Sequence, residues 1–174
     1  MALVIFLRGV NVGGHRTFRP SLFAQELKHY DAVNIGAAGT LVIRRPASQA
    51  ELRAELQRRL PFEAEAVICK GEDVIALESN YPFADQPLQS GVVRFVSVLA
   101  KRPRVLPALP LSLPEDGAWL VRILSAENRF IFGTYRRHMK TIRYLGMIDT
   151  LFGVTVTTRN WNTFTAIIKV LKSD

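Results

Sequence analysis

One cysteine, Cys69, stands in 174 residues. The histidines, three in all, are scattered at His15, His29 and His138. A lone thiol cannot close an internal disulfide, which fits a reducing compartment. No Cys-x-x-Cys or His-x-x-x-His spacing occurs, so no metal site and no cofactor are expected. Apolar runs stop at about six residues, far short of the roughly 20 that cross a bilayer. The first residues lack the charged region, long apolar core and cleavage site of a signal peptide. Together these absences point to a cytoplasmic protein with no membrane partner. Carboxylates are also scarce: 15 Asp and Glu stand against 23 Lys and Arg, a net charge of +8.

That excess is concentrated in three places: Arg44/Arg45 with Arg53/Arg58/Arg59, then Lys101/Arg102/Arg104, then Arg136/Arg137/His138/Lys140/Arg143. Such charge steers anionic partners. No cluster is interleaved along the chain with aromatics as a stacking platform would be, though Tyr135 and Tyr144 flank the third. The expectation is a solvated basic surface with at most weak, salt-sensitive nucleic-acid binding.

With 48% apolar residues the chain can bury a sizeable core, as one domain or two small fused units. Leu3–Leu7 is a continuous apolar run and predicts a strand covered on both faces. Pro20 suits a helix start, and Leu22, Phe23 and Leu27 supply its stripe. Ala32–Gly36 and Leu41–Ile43 read as strands around the turn Ala38-Gly39-Thr40. Ser48-Gln49-Ala50-Glu51 is a capping-box pattern. Leu52, Leu56 and Leu60 then follow at helical spacing until Pro61. Ala64–Cys69 alternates like a strand, with Cys69 as a small core residue. This β-α-β-β-α-β order is that of a ferredoxin-like, split βαβ domain over residues 1–84.

A short helix at Glu72–Ser79 precedes the boundary near Asp85–Ser90. The second half, 91–174, begins with a β-branched strand, Gly91–Ala100. Four prolines between Pro103 and Asp116 forbid a helix and predict a surface crossing. Trp119–Leu124 and Phe130–Thr134 form a hairpin around Ser125–Arg129. One helix carries Ile142, Leu145, Ile148 and Phe152 and ends at Gly153, which suits a left-handed C-cap. A strand at Val154–Thr157 and a helix capped by Asn160 complete a β-β-β-α-β-α half. Trp161 is expected to plug the final helix against the sheet. The fold class is therefore α+β, two ferredoxin-like halves in tandem packed as one unit, the second irregular through its Pro-rich crossing.

Two stretches are chemically distinctive. Leu7-Arg8-Gly9-Val10-Asn11-Val12-Gly13-Gly14, continuing to His15 and Arg16, is a glycine-rich, cationic loop after a strand. Exposed amides there attract anions, yet the stretch matches neither the P-loop nor the dinucleotide pattern. Glycines that merely let the backbone turn are an equal alternative. The second stretch is Thr157-Thr158-Arg159-Asn160-Trp161-Asn162-Thr163. A cation beside a helix N-terminus opposes the dipole, so a carboxylate or an anionic ligand is expected near Arg159.

Both stretches, with Tyr81-Pro82-Phe83 and Gly153, resemble the bacterial domain-of-unknown-function family 1697. The resemblance spans nearly the whole chain and implies two ferredoxin-like α+β halves without an established activity. This chain departs at Ala38-Gly39-Thr40, where members typically read Ser-Gly-Asn, and in its Pro-rich crossing. The functional expectation is a protein that binds an anionic small molecule. Its candidate ligand-binding residues are Arg8, Asn11, Gly13, Gly14, His15, Arg159 and Asn160, conjectured to face a common cleft. One alternative is an enzyme acting on a phosphorylated or anionic small molecule, with His15 as acid/base and Arg8 as anion clamp. A second alternative is a weak nucleic-acid-binding or self-associating module. No catalytic residue and no oligomeric state are assigned.

Overall fold

Five apolar residues in a row produce a strand with water on neither side. In the computed structural model, which describes residues 1–10 and 18–173, β1 spans Leu3–Arg8. None of Leu3 to Leu7 is more than 4% exposed. Successive side chains alternate between faces. Leu3, Ile5 and Leu7 join Phe23, Leu27, Leu41 and Leu52 in one core. On the other face Phe6 stacks on Phe164 with ring centroids 5.5 Å apart.

β1 is central because β3 (Thr40–Ile43) pairs with one edge and β4 (Glu65–Lys70) with the other. With β2 (Ala32–Ile35) the order is β2-β3-β1-β4, antiparallel throughout. Cys69 lies opposite Val4 and is buried. Helix α1 (Pro20–Glu26) starts on its proline, but Leu22 is 50% exposed. The buried stripe is Phe23, Ala24 and Leu27 instead. Helix α2 (Gln49–Arg59) has the expected capping box. Glu51 N–H donates to Ser48 Oγ at 3.0 Å, and Ser48 N–H donates to Glu51 Oε2 at 3.4 Å. Glu51 also accepts from the Tyr30 hydroxyl at 2.7 Å, and this bond pushes the Tyr30 pKa up to about 12. Helix α3 (Gly71–Ser79) follows β4 directly.

The chain divides into two compact units, Met1–Asn80 with Thr163–Asp174, and Tyr81–Asn162. The sequence places the last helix in the second half. From Thr163 onward, however, α6 (Trp161–Lys172) counts with the first unit, where Phe164 meets Phe6 and Lys172 bonds Glu78. A buried two-faced strand needs a cover on each side, and the stripe on α6 supplies apolar surface for it.

In the second unit β5 (Val92–Leu99), β6 (Leu111–Leu113), β7 (Val121–Glu127), β8 (Phe130–Arg136) and β9 (Val156–Asn160) form one antiparallel sheet. Their order is β6-β7-β8-β5-β9. The Pro-rich crossing thus contributes a strand after all. It is a short edge strand, the place where neighbouring prolines cost the ladder least. The hairpin turn tightens to Asn128-Arg129, with Asn128 at φ 53°. The single expected helix is two, α4 (Thr141–Leu145) and α5 (Ile148–Phe152), interrupted at Gly146-Met147. Ile142 is consequently 79% exposed, while Ile148 and Phe152 pack under Phe95, Val121, Ile123 and Ile131. Gly153 adopts the left-handed φ of 69° expected of a C-cap. β9 begins and ends later than expected, so Asn160 closes a strand.

Two substitutions probe this framework. Phe164 is fully buried, whereas Trp161 is half-buried against Phe83 at 5.3 Å and Tyr81 at 5.8 Å. Phe164→Ala should cost about 3–5 kcal/mol in denaturant titration, and Trp161→Ala roughly half as much. A larger loss for Trp161→Ala would contradict the assignment. Gly39 combines φ 88° with contacts of 2.9 Å from a would-be Cβ to Leu7 Cβ and Val10 Cγ2. Gly39→Ala should therefore lose about 2–4 kcal/mol through left-handed strain and overpacking together. Wild-type stability in that variant would overturn this reading of the turn.

Candidate functional site

Because β1 runs antiparallel to β4, its last residue, Arg8, lies opposite Glu65 at the start of β4. The pair closes at 3.5 Å, with side chains 40% and 67% exposed. Beyond it the chain turns at Gly9, and Val10 returns to the core. Gly39 anchors the same corner, its carbonyl accepting from Leu7 N–H at 2.8 Å.

Arg8 and Gly9 form one wall of a cleft of about 810 Å³. The other wall comes from α2. Arg53, Leu56, Gln57 and Leu60 recur at i, i+3, i+4 and i+7, so they line one face of the helix and the residue just past it. Pro61 to Ala66, leading into β4, complete the lining. The cleft has cations at Arg8 and Arg53, carboxylates at Glu63 and Glu65, and apolar surface at Leu56, Leu60 and Phe62. Arg53 is steadied by donating to the Ala66 carbonyl at 2.9 Å. An exposed pair such as Arg8–Glu65 is worth about 0–1 kcal/mol, so a ligand's anion can exchange with Glu65 at little cost.

Of the residues singled out by sequence, Arg8 is brought to this cleft. Asn11, Gly13, Gly14 and His15 lie outside the described residues. Arg159 and Asn160 belong to the second unit, adjacent at the end of β9. Arg159 faces the same side of the sheet as Val96 and donates to the Thr158 carbonyl at 2.9 Å. Burial pushes its pKa down to about 10. A cation in such surroundings interacts with an anion more strongly than one in water. Asn160 is exposed.

Arg53 stands out in the sequence only as part of a basic cluster, and Gln57, Phe62 and Glu65 not at all; none of the four is among the candidate ligand-binding residues. The signal was present: a polar pair alternating with leucines at helical spacing, next to a proline-bounded turn. Reading only the leucines assigns the whole face to the core. Among the described residues no group of three His, Cys, Asp or Glu could hold a metal ion. Nor is any helix among them long and apolar enough to cross a membrane.

The model of the family described as "Protein of unknown function (DUF1697)" matches residues 1–111. That span includes the glycine-rich stretch at 7–14; the stretch at 157–163 falls beyond it. No curated protein matches the chain. Among solved structures, the chain is similar to that of "conserved bacterial protein SP0830 from Streptococcus pneumoniae". The TM-score is 0.66 at 19% identity, and 98% of each chain is covered. That likeness speaks for the α+β fold along nearly the full length. The chain belongs to the DUF1697 family of proteins of unknown function.

Proposed function

We propose that the protein binds an anionic small molecule in the cleft of its first unit, with Arg8 as the anchoring cation. The observation that carries this reading is Arg8 opening into about 810 Å³ of mixed polar and apolar surface, tied to Glu65 by an exposed pair. A volume of this order suits a small ligand, since such sites typically measure about 300–1,000 Å³. The lining favours a ligand with an anionic group for Arg8 and Arg53 and an apolar or ring portion for Phe62. Asn11, Gly13, Gly14 and His15, which follow Gly9 in the sequence, are proposed to contribute amide and side-chain donors to the same anion. Arg159 and Asn160 are proposed as a further anion contact, carried by the second unit. The enzymatic alternative depends on His15, and the described residues add no observation that favours it.

A thermal-shift screen of nucleotides and sugar phosphates tests the proposal. A ligand at about one hundred times its Kd adds about 2.7 kcal/mol to the folded state. For a chain of this size that raises Tm by about 5–10 °C. Arg8→Ala should abolish the shift while leaving the protein folded, because the Arg8 side chain is exposed at the end of its strand. An unchanged shift in Arg8→Ala would move the site elsewhere, and Arg159→Ala then reports whether the second unit holds it.

A further inference from the structure

The positive charge is unevenly shared. Residues 81–162 hold eleven Lys and Arg against five Asp and Glu, a net of +6 out of +8. The first basic cluster is largely spent on internal pairs: Arg44 with Asp31 at 2.9 Å, Arg59 with Glu55 at 2.6 Å, Arg58 with the same carboxylate. The third is different. From Asn128 to Ile148 the chain contains no carboxylate.

The sheet of the second unit gathers arginines from three strands. Arg94 on β5 and Arg122 on β7 both pair with Thr134 of β8, and Arg136 lies two residues further along β8. All three therefore project from one face. It is the face opposite the core of Phe95, Val121 and Ile123. Trp119, just before β7, has its ring centroid 4.3 Å from the guanidinium carbon of Arg122 and 4.3 Å from that of Arg136. Arg94 donates to the Tyr81 hydroxyl at 2.6 Å and to the Gln86 carbonyl, and lies 5.9 Å from the Tyr81 ring centroid. No ion pair among the described residues involves Arg94, Arg122 or Arg136.

A guanidinium held over an indole can keep in-plane N–H groups for a partner; Arg122 gives one of its own, Nε–H, to Ser112 Oγ at 3.3 Å and retains its terminal ones. Two such forks fixed by one tryptophan are ordered before any ligand arrives. The adjoining hollow measures about 50 Å³, too small to enclose a small molecule. What fits a flat, ordered row of cations and rings is an extended polyanion with planar groups of its own.

We propose that this face of the second unit binds single-stranded nucleic acid. Arg94, Arg122 and Arg136 take successive phosphates, and exposed bases stack on the Trp119–arginine layer and on Tyr81. A duplex offers the phosphates but keeps its bases stacked inside, so a single strand gains more here. The sequence conceals the platform because Trp119 and Arg136 are seventeen positions apart and meet only when β7 pairs with β8.

Fluorescence anisotropy of the full chain with a labelled thymidine dodecamer, titrated across salt, tests this. Log affinity should fall against log salt with a slope of about −2, near −0.7 for each of three phosphates. Arg122→Ala with Arg136→Ala should weaken binding at least about tenfold and bring the slope to about −0.7, one contact remaining. Lys101→Ala with Arg102→Ala removes the same charge from the same unit and should change affinity less than about threefold. Arg122→Lys with Arg136→Lys guards against a folding defect and should fall between wild type and the alanine pair. The proposal is overturned if wild type does not bind, if both alanine pairs weaken binding equally, or if duplex competes as well as single strand. It is also overturned if anionic vesicles bind instead through the exposed Met139 and Ile142.

Discussion

Burial of β1 on both faces is the constraint on which the first unit depends. A strand with one wet face could end in a loop that follows the solvent. One sealed by Leu27 and Leu52 below and Phe164 above has its last residue fixed in place. Arg8 is that residue, and it emerges beside the turn that Gly39 makes against Leu7. The cleft is thus built on a strand buried on both faces, and a binding group held in place beforehand costs less to order when a ligand arrives.

Electrostatics divides the two units by what their cations already touch. In the first, arginines are answered by Asp31, Glu55 and Glu65 at distances of 2.5–3.5 Å. Hydrogen bonds from Arg59 and Arg58 hold the Glu55 carboxyl below its ordinary pKa despite burial acting the other way. In the second, Arg122 and Arg136 lie against an indole, and that contact leaves their charge unneutralised. A count of charged residues treats the two clusters alike; their partners make one a structural brace and the other a binding surface.

How much could be read from the chain follows from the range of each interaction. The capping box at Ser48 and Glu51, the left-handed Gly153 and the buried run Leu3–Leu7 are local patterns, and the structure has them where the sequence places them. Ile142 shared the helical period of Ile148 and Phe152, but the break at Gly146-Met147 turns it outward. The strand β6 was hidden because prolines around it dominate the local signal, while its pairing with β7 is decided at a distance. The cleft was half legible. Arg8 could be singled out from the end of its strand, but Arg53 and Gln57 needed α2 to be laid against the start of β4.

The proposed anion site lies at Arg8 and Gly9, where β1 ends and the glycine-rich stretch of the sequence begins. Amide chemical-shift mapping during titration with a sugar phosphate reports on it directly. Saturable shifts are expected at Arg8 and Gly9, along Arg53–Gln57, and at Phe62–Ala66. Shifts confined to the β7–β8 face around Trp119, or none at any concentration that saturates the thermal response, would contradict it.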